Sequence, residues 1–165
     1  MDFGALQCTP AQPRCGDCPL AGRCLALAAG TVGVRPVKQG RAKVRDRWFN
    51  YLHVTCGGQT LLHRRGGGDI WQGLYEFPLI ETDKAADFAE LAATAAFREL
   101  LGNGRWHLRR SVTMPGHQLS HQLLHAVFHR IECDAMPAFP SVETAALGGY
   151  ALPRLIDRYL TKYQM

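Results

Sequence analysis

From residue 47 onward the chain changes periodicity several times. The run "RWFNYLHVTC" (47–56) has the aromatic and β-branched texture of a strand, and Gly57–Gly58 turns it into a second run, "QTLLHRR". "GGGDIWQGLYEFPLI" predicts a Gly-rich loop that enters a third strand. Between 83 and 101 the spacing becomes helical, with Phe88, Leu91, Ala95 and Leu100 on one side and Gly102 as the stop. "RWHLRRSVTMPG" and "HQLLHAVFHRIEC" then read as two strands flanking a loop, and "ALPRLIDRYLTKYQ" as an amphipathic helix with Pro153 near its start. Strands mixed with helices, and no internal repeat, predict an α+β (mixed α/β) domain over 48–165.

The first 47 residues carry no such pattern. After a short apolar helix ending near Gly30 comes a Gly/Pro-punctuated basic stretch, with Arg35, Lys38, Arg41, Lys43, Arg45 and Arg47. It reads as a solvated interdomain linker over 31–47. The chain as a whole carries a net charge of +5 and a pI near 9.0, which leans towards a polyanionic partner. No apolar run approaches the ~20 residues of a membrane span. "MDFGALQ" has an acid and no basic cluster, so it is not a secretory leader, and a reducing, cytoplasmic setting is expected.

That setting matters for the cysteines. Four of the six fall in residues 1–30, as Cys8-x6-Cys15-x2-Cys18-x5-Cys24. Two disulfides would need an oxidising compartment. A tetrahedral zinc site usually shows two paired C-x2-4-C knuckles, and only Cys15–Cys18 forms such a pair. A [4Fe–4S] cluster needs four thiolates around a larger cubane, and the long-short-medium spacing suits it better; zinc is the alternative. Cys56 and Cys133 lie outside the pattern and are expected to be plain buried thiols.

With "CPL" inside it and "MDFGALQC" before it, this spacing resembles the iron–sulfur loop that closes the catalytic domain of the endonuclease III and MutY DNA glycosylases. The resemblance implies a structural cluster on Cys8, Cys15, Cys18 and Cys24 that orders a loop near the DNA backbone. Arg14, Lys38, Arg41 and Lys43 are then candidate phosphate contacts. Residues 74–102 resemble a Nudix box, the strand–loop–helix of pyrophosphohydrolases. Leu79 and Ile80 stand where that box has glycines, and "RELLG" keeps Arg98 and Glu99 without the paired glutamates that hold divalent cations. The resemblance therefore implies a Nudix-like fold without Nudix hydrolysis.

A Nudix-like unit behind an iron–sulfur loop is the arrangement of MutY-type adenine DNA glycosylases, and "W-x-G-L-Y-E-F-P" (71–78) is similar to a stretch of their C-terminal domain. In that family a histidine precedes a Phe-Ser-His loop whose serine reads 8-oxoguanine. Here His117, Ser120 and His121 match, and Leu119 replaces the aromatic residue. The resemblance assigns lesion recognition to Ser120, supported by His121. A hydroxyl accepts from N7–H of 8-oxoguanine while a backbone N–H donates to O8, and unmodified guanine offers neither partner. The family's excision carboxylates lie in a helical domain ahead of the cluster, so this chain is expected to be the C-terminal part of such an enzyme and to excise nothing alone. The expected partner is double-stranded DNA with 8-oxoguanine:adenine mispairs, bound by a monomer, with repair proteins engaging the linker. Two other readings stay open, a stand-alone Nudix hydrolase of nucleoside diphosphates and a zinc-stabilised interaction module.

Overall fold

The computed structural model describes residues 2–9, 11–35, 37, 44–102 and 104–163. The chain falls into two compact units, Met1–Lys43 and Val44–Met165. The first holds α1 (Asp2–Gln7), a 3-10 turn at Ala21–Arg23, α2 (Leu25–Ala28) and a second 3-10 turn at Val32–Val34. None of its described side chains is buried, and Leu6 and Leu25 stand 73% and 85% exposed. A segment this short with so little buried draws little stability from a core of its own.

The second unit is built on a long central strand, β1 (Arg45–Cys56), which turns through Gly57 and Gly58 into β2 (Gln59–Leu61). Both glycines have positive φ (53° and 84°), as a tight two-residue hairpin of this hand requires. β3 (His63–Arg64) pairs with β4 (Tyr75–Glu76) in a small separate ribbon. β5 (Leu79–Thr82) runs antiparallel to the first half of β1. Next come α3 (Phe88–Ala92), α4 (Ala95–Leu101), β6 (Trp106–Thr113), β7 (His117–Gln118), β8 (Gln122–Cys133), β9 (Ser141–Glu143), a 3-10 turn at Thr144–Gly149 and α5 (Arg154–Tyr163). The main sheet runs β6-β8-β1-β2-β9, with β5 also on β1 and β7 also on β8. β1 and β8 are parallel over eleven matched pairs, from Arg45↔Gln122 to Thr55↔Glu132.

Strand alternation splits the core in two. Phe49 and Tyr51 point to one face, where Leu124, Phe128, Leu155, Ile156 and Tyr159 complete a cluster under α5. The Phe128 and Tyr159 rings stack there at 4.0 Å. Leu52 and Val54 point to the other face, against Leu91, Phe97 and Leu101 of α3 and α4. No helix among the described residues is long and apolar enough to cross a membrane.

Three sequence expectations need correction. Arg45–Arg47, assigned to the linker, are the first residues of β1, and Arg47 is buried. The single helix expected over 83–101 is broken: Asp87 and Glu90 form a capping box that starts α3, and Thr94 caps α4 by accepting from the Phe97 N–H (3.2 Å). Helical spacing alone ran through the break because Thr94 sits among four alanines that suit either side of a cap. The expected third strand is two strands, β4 and β5, separated by Pro78, whose carbonyl accepts from Leu52 N–H at 2.8 Å.

Candidate nucleic-acid interface

Arg47 lies inside the second unit with its side chain 7% exposed. Its guanidinium meets both oxygens of Asp69 (2.7 and 2.7 Å) and both of Glu81 (2.7 and 2.6 Å), and Nη1 also donates to Gln122 Oε1 at 3.0 Å. Arg65 repeats the device beside it. Its Nη1 meets both oxygens of Glu76 at 2.7 Å, Nη2 donates to Asp69, and Nε donates to the Ile70 carbonyl at 2.7 Å. The two cations flank the Phe49 ring, at 4.7 and 5.8 Å. The hydrogen bonds from Arg47 hold the Asp69 carboxyl well below the usual carboxylate range. Residues 69–70 are thereby gripped from two directions, and the Gly-rich loop after β3 is fixed to the sheet.

That grip presents Trp71. Among the described residues it is the one non-glycine with positive φ, at 61°, a conformation that costs a bulky side chain on the order of 1–3 kcal/mol. The half-buried indole meets Phe49 edge-on (6.4 Å) and lies tilted against the His117 ring (5.9 Å). Burial, with Arg158 adding to it, lowers the His117 pKa, so this ring is neutral against the indole at neutral pH.

His117 begins the hairpin of β7 and β8, whose tip is Ser120–His121. Leu119 N–H donates to the Gln122 carbonyl (2.8 Å), and Gln118 Nε2 reaches the Leu119 carbonyl (2.6 Å), closing the tip. The His121 carbonyl accepts from Arg45 N–H at 3.0 Å, and Arg47 holds Gln122, so the start of β1 braces the whole turn. Leu119, like Trp71, packs on the α5-side core. Ser120 and His121 are exposed, and among the described residues no protein acceptor takes their N–H groups and no partner takes the Ser120 hydroxyl. His117 and Leu119 thereby join the hairpin to Trp71, through the ring contact and the shared core cluster, and Ser120 and His121 stand exposed at its tip. The other two histidines of the run are engaged: His125 Nε2 meets Asp46 Oδ1 at 2.7 Å, and His129 Nδ1 meets Ser111 Oγ at 2.9 Å.

In the first unit Cys8, Cys15, Cys18 and Cys24 all line one small cavity, with Pro13, Ala21 and Leu27. Among the described residues no three His, Cys, Asp or Glu side chains sit close enough to hold a single metal ion. Arg14 is exposed beside the cavity mouth and its main chain is tied to Gln7. Lys38, Arg41 and Lys43 lie outside the described residues. Of the two remaining cysteines, Cys133 is buried and Cys56 only partly so.

A cleft of about 480 Å³ lies between β5 and α4, lined by His63, Glu76, Leu79, Ile80, Glu99 and Phe139. Leu79 and Ile80 are ladder residues opposite Tyr51 and Asn50, and Ile80 is core. Both carboxylates of the cleft are present, but Arg65 occupies Glu76.

The Arg47–Asp69–Glu81 cluster was missed from sequence, since Arg47 sits at the end of a basic run and its acids lie 22 and 34 positions away. The same holds for Arg65, whose acid Glu76 lies eleven positions away. The accessible signal was an Asp immediately before "IWQG", a loop acid with an Arg four residues earlier.

Comparison with known proteins places this geometry. The chain is 29% identical over 82 residues to an adenine DNA glycosylase of Buchnera aphidicola, spanning 50% of this chain and 24% of that protein. It is 30% identical over 103 residues to an adenine DNA glycosylase of Arabidopsis thaliana, spanning 54% and 16%. The fold is similar to that of the C-terminal domain of mouse MUTYH, solved in complex with human PCNA, at a TM-score of 0.56 and 16% identity over 73% of this chain and 88% of that one. It is also similar to RenU, a Nudix hydrolase of M. smegmatis (TM-score 0.53, 12% identity, 73% and 83% covered). Residues 50–162 match the NUDIX domain model, and the chain belongs to that family.

Proposed function

We propose that this chain recognises 8-oxoguanine paired with adenine in duplex DNA, serving an adenine DNA glycosylase. The observation that carries the reading is the braced two-residue tip, Ser120–His121, its hydroxyl and N–H groups unclaimed among the described residues, on a hairpin whose first residue, His117, lies against the half-buried Trp71. Ser120 Oγ accepts from the lesion's N7–H and a tip N–H donates to O8, a pair that guanine cannot complete. The tip does not rearrange to do so, because β1, Gln118 and Gln122 already fix its carbonyls. The relatives named adenine DNA glycosylase support the parent activity. In this reading the chain binds the lesion and excises nothing by itself, the excision step belonging to the parent enzyme.

Cys8, Cys15, Cys18 and Cys24 would hold a [4Fe–4S] cluster. Their spacing along the chain, their common cavity and the coreless unit that contains them support this reading. Bound there, the cluster supplies no catalytic step and acts as a cross-link that orders the loop carrying Arg14.

The test compares binding to duplexes with 8-oxoguanine or guanine opposite adenine, for the wild type and Ser120→Ala. Loss of one hydrogen-bonded pair in a closed contact predicts roughly a tenfold fall in lesion preference. Equal wild-type affinity for the two duplexes overturns the reading. Anaerobically purified protein should contain iron and acid-labile sulfide in equal amounts; zinc in their place refutes the cluster.

A further inference from the structure

One feature of α5 plays no part in lesion reading. Arg154, Arg158 and Lys162 recur every four residues and are all exposed, so they share one face of the helix. Arg154 is neutralised by Asp157 at 2.8 Å. Arg158 and Lys162 belong to no ion pair among the described residues. They line a groove of about 430 Å³ with Met114, Gly116 and His117, the last being the residue that begins the reader hairpin.

Two more cations continue the row. Arg110 on β6 and Arg130 on β8 are directly matched cross-strand neighbours, both exposed. Like charges placed opposite each other in a sheet destabilise it. Arg110 lies over the Tyr163 ring (5.2 Å), as does Lys162 (5.3 Å), so β6 and the end of α5 share one cationic surface. No ion pair among the described residues relieves Arg110 or Arg130. Four cations held together at a folding cost, with the nearby acids Asp157 and Glu132 tied to Arg154 and Arg109, call for an anionic partner of repeating charge.

We infer that Arg158, Lys162, Arg110 and Arg130 form a track for the sugar–phosphate backbone of the duplex whose lesion the Ser120 hairpin reads. The inference rests on the proposed lesion reading for its ligand, and on α5 and β6 for its site. One helical turn separates Arg158 from Lys162, about 6 Å of rise, a reach that covers nearly two phosphates of one strand at ~3.4 Å each. His117 connects the two surfaces: it touches Trp71 on one side and the groove on the other. A backbone seated on the track therefore delivers bases to the hairpin. Phosphate contacts fix register and carry no base information, so the track contributes affinity and the tip contributes preference.

The experiment measures affinity for 8-oxoguanine and guanine duplexes between 50 and 200 mM salt. It uses the full chain, Arg158→Gln/Lys162→Gln, Arg110→Gln/Arg130→Gln, and a control, Lys84→Gln/Arg105→Gln, that removes the same charge elsewhere. Each lost phosphate contact lowers the salt slope by ~0.9, so each track variant should flatten it by about 1.8. Across that salt range the wild type should lose about 12-fold more affinity than either track variant. Both duplexes should be affected equally, leaving the lesion preference intact, while the control keeps the wild-type slope. Arg110→Gln/Arg130→Gln should also melt no lower than the wild type, because it removes a repulsion. Track variants with the wild-type slope, or a control that flattens as much as they do, overturn the track. A wild type without lesion preference whose slope still falls in the track variants overturns the reader and leaves the track standing.

Discussion

Replacing Arg47 with Met tests whether one buried cation sets the geometry of the interface. Met keeps an apolar stem over Phe49 and removes the guanidinium that ties Asp69, Glu81 and Gln122 together. Deleting one partner of a buried ion pair costs about 3–5 kcal/mol, because the other is left without a counter-charge. Here Asp69 and Glu81 are 35% and 33% exposed, and Asp69 retains Arg65 and the Ile70 N–H, so water and these donors recover part of the loss. A cost of ~2–3 kcal/mol remains. With an unfolding entropy of ~2.1 cal/mol/K per residue, a unit of this size should melt roughly 8–12 °C lower. Circular dichroism melts across pH supply a second check. The Asp69 carboxyl is held below its ordinary value, chiefly by hydrogen bonds from Arg47. The stability it contributes is complete above the ordinary carboxylate pKa of about 4 and is lost as pH falls through the depressed value. The wild type should therefore lose stability faster in acid than the variant, and the two melting curves should converge below about pH 4. A variant that melts within ~2 °C of the wild type at pH 7, with a parallel acid profile, refutes the reasoning.

Two further outcomes follow. Burial holds His53 and His129 near pKa 4, against an unfolded value of about 6.5, so the unfolded chain binds protons that the native chain refuses. Stability should drop as pH falls from 6.5 towards 4, by up to ~1.4 kcal/mol per pH unit for each ring, and His53→Gln should flatten that slope in pH-dependent melts. Trp71→Ala removes the indole from His117 and Phe49 without touching the tip. Fluorescence anisotropy should show lesion preference falling at least several-fold with the salt slope unchanged, and an intact preference would remove Trp71 from the reader.

Much of this architecture is written locally. The strand texture of 47–56, the Gly57–Gly58 turn and the Pro153 helix start each depend on neighbouring residues, and the structure places elements there. The tip is legible for the same reason, since His117, Ser120 and His121 lie within five positions. The break at Thr94 was hidden because a cap competes with helix continuation only through one hydroxyl, which accepts from Phe97 N–H and donates to the Leu91 carbonyl. β9 was missed for its brevity: three residues gain strand character only by pairing with β2, far away in sequence. The Arg47 cluster was illegible because its meaning is tertiary. A basic run predicts solvent exposure, and only the register of β1 against β5 and β8 turns Arg47 inward while its neighbours stay out.

That register is what the buried charges protect. Replacing a buried ion network with apolar residues is often neutral or favourable, so net stability does not explain why Arg47 and Arg65 lie where they do. Alignment is the better account. A slip of β1 by one residue would send Arg47, Phe49 and Tyr51 alike to the opposite face of the sheet, away from the α5-side core. Such a slip would also leave Asp69 and Glu81 without their main cation, a penalty that apolar side chains, which tolerate several packings, would not impose. The same slip would shift Arg45 from the His121 carbonyl and Arg47 from Gln122, loosening the tip. Trp71 and Ser120 come from segments about fifty residues apart, and among the described residues Arg47 is the side chain bonded towards both, through Asp69 to the Trp71 loop and through Gln122 to the Ser120 turn. On the proposed function this surface tells two purines apart by one hydrogen and one oxygen, which requires its parts to be fixed to within a hydrogen-bond length. Charges that are intolerable in any other register supply that constraint.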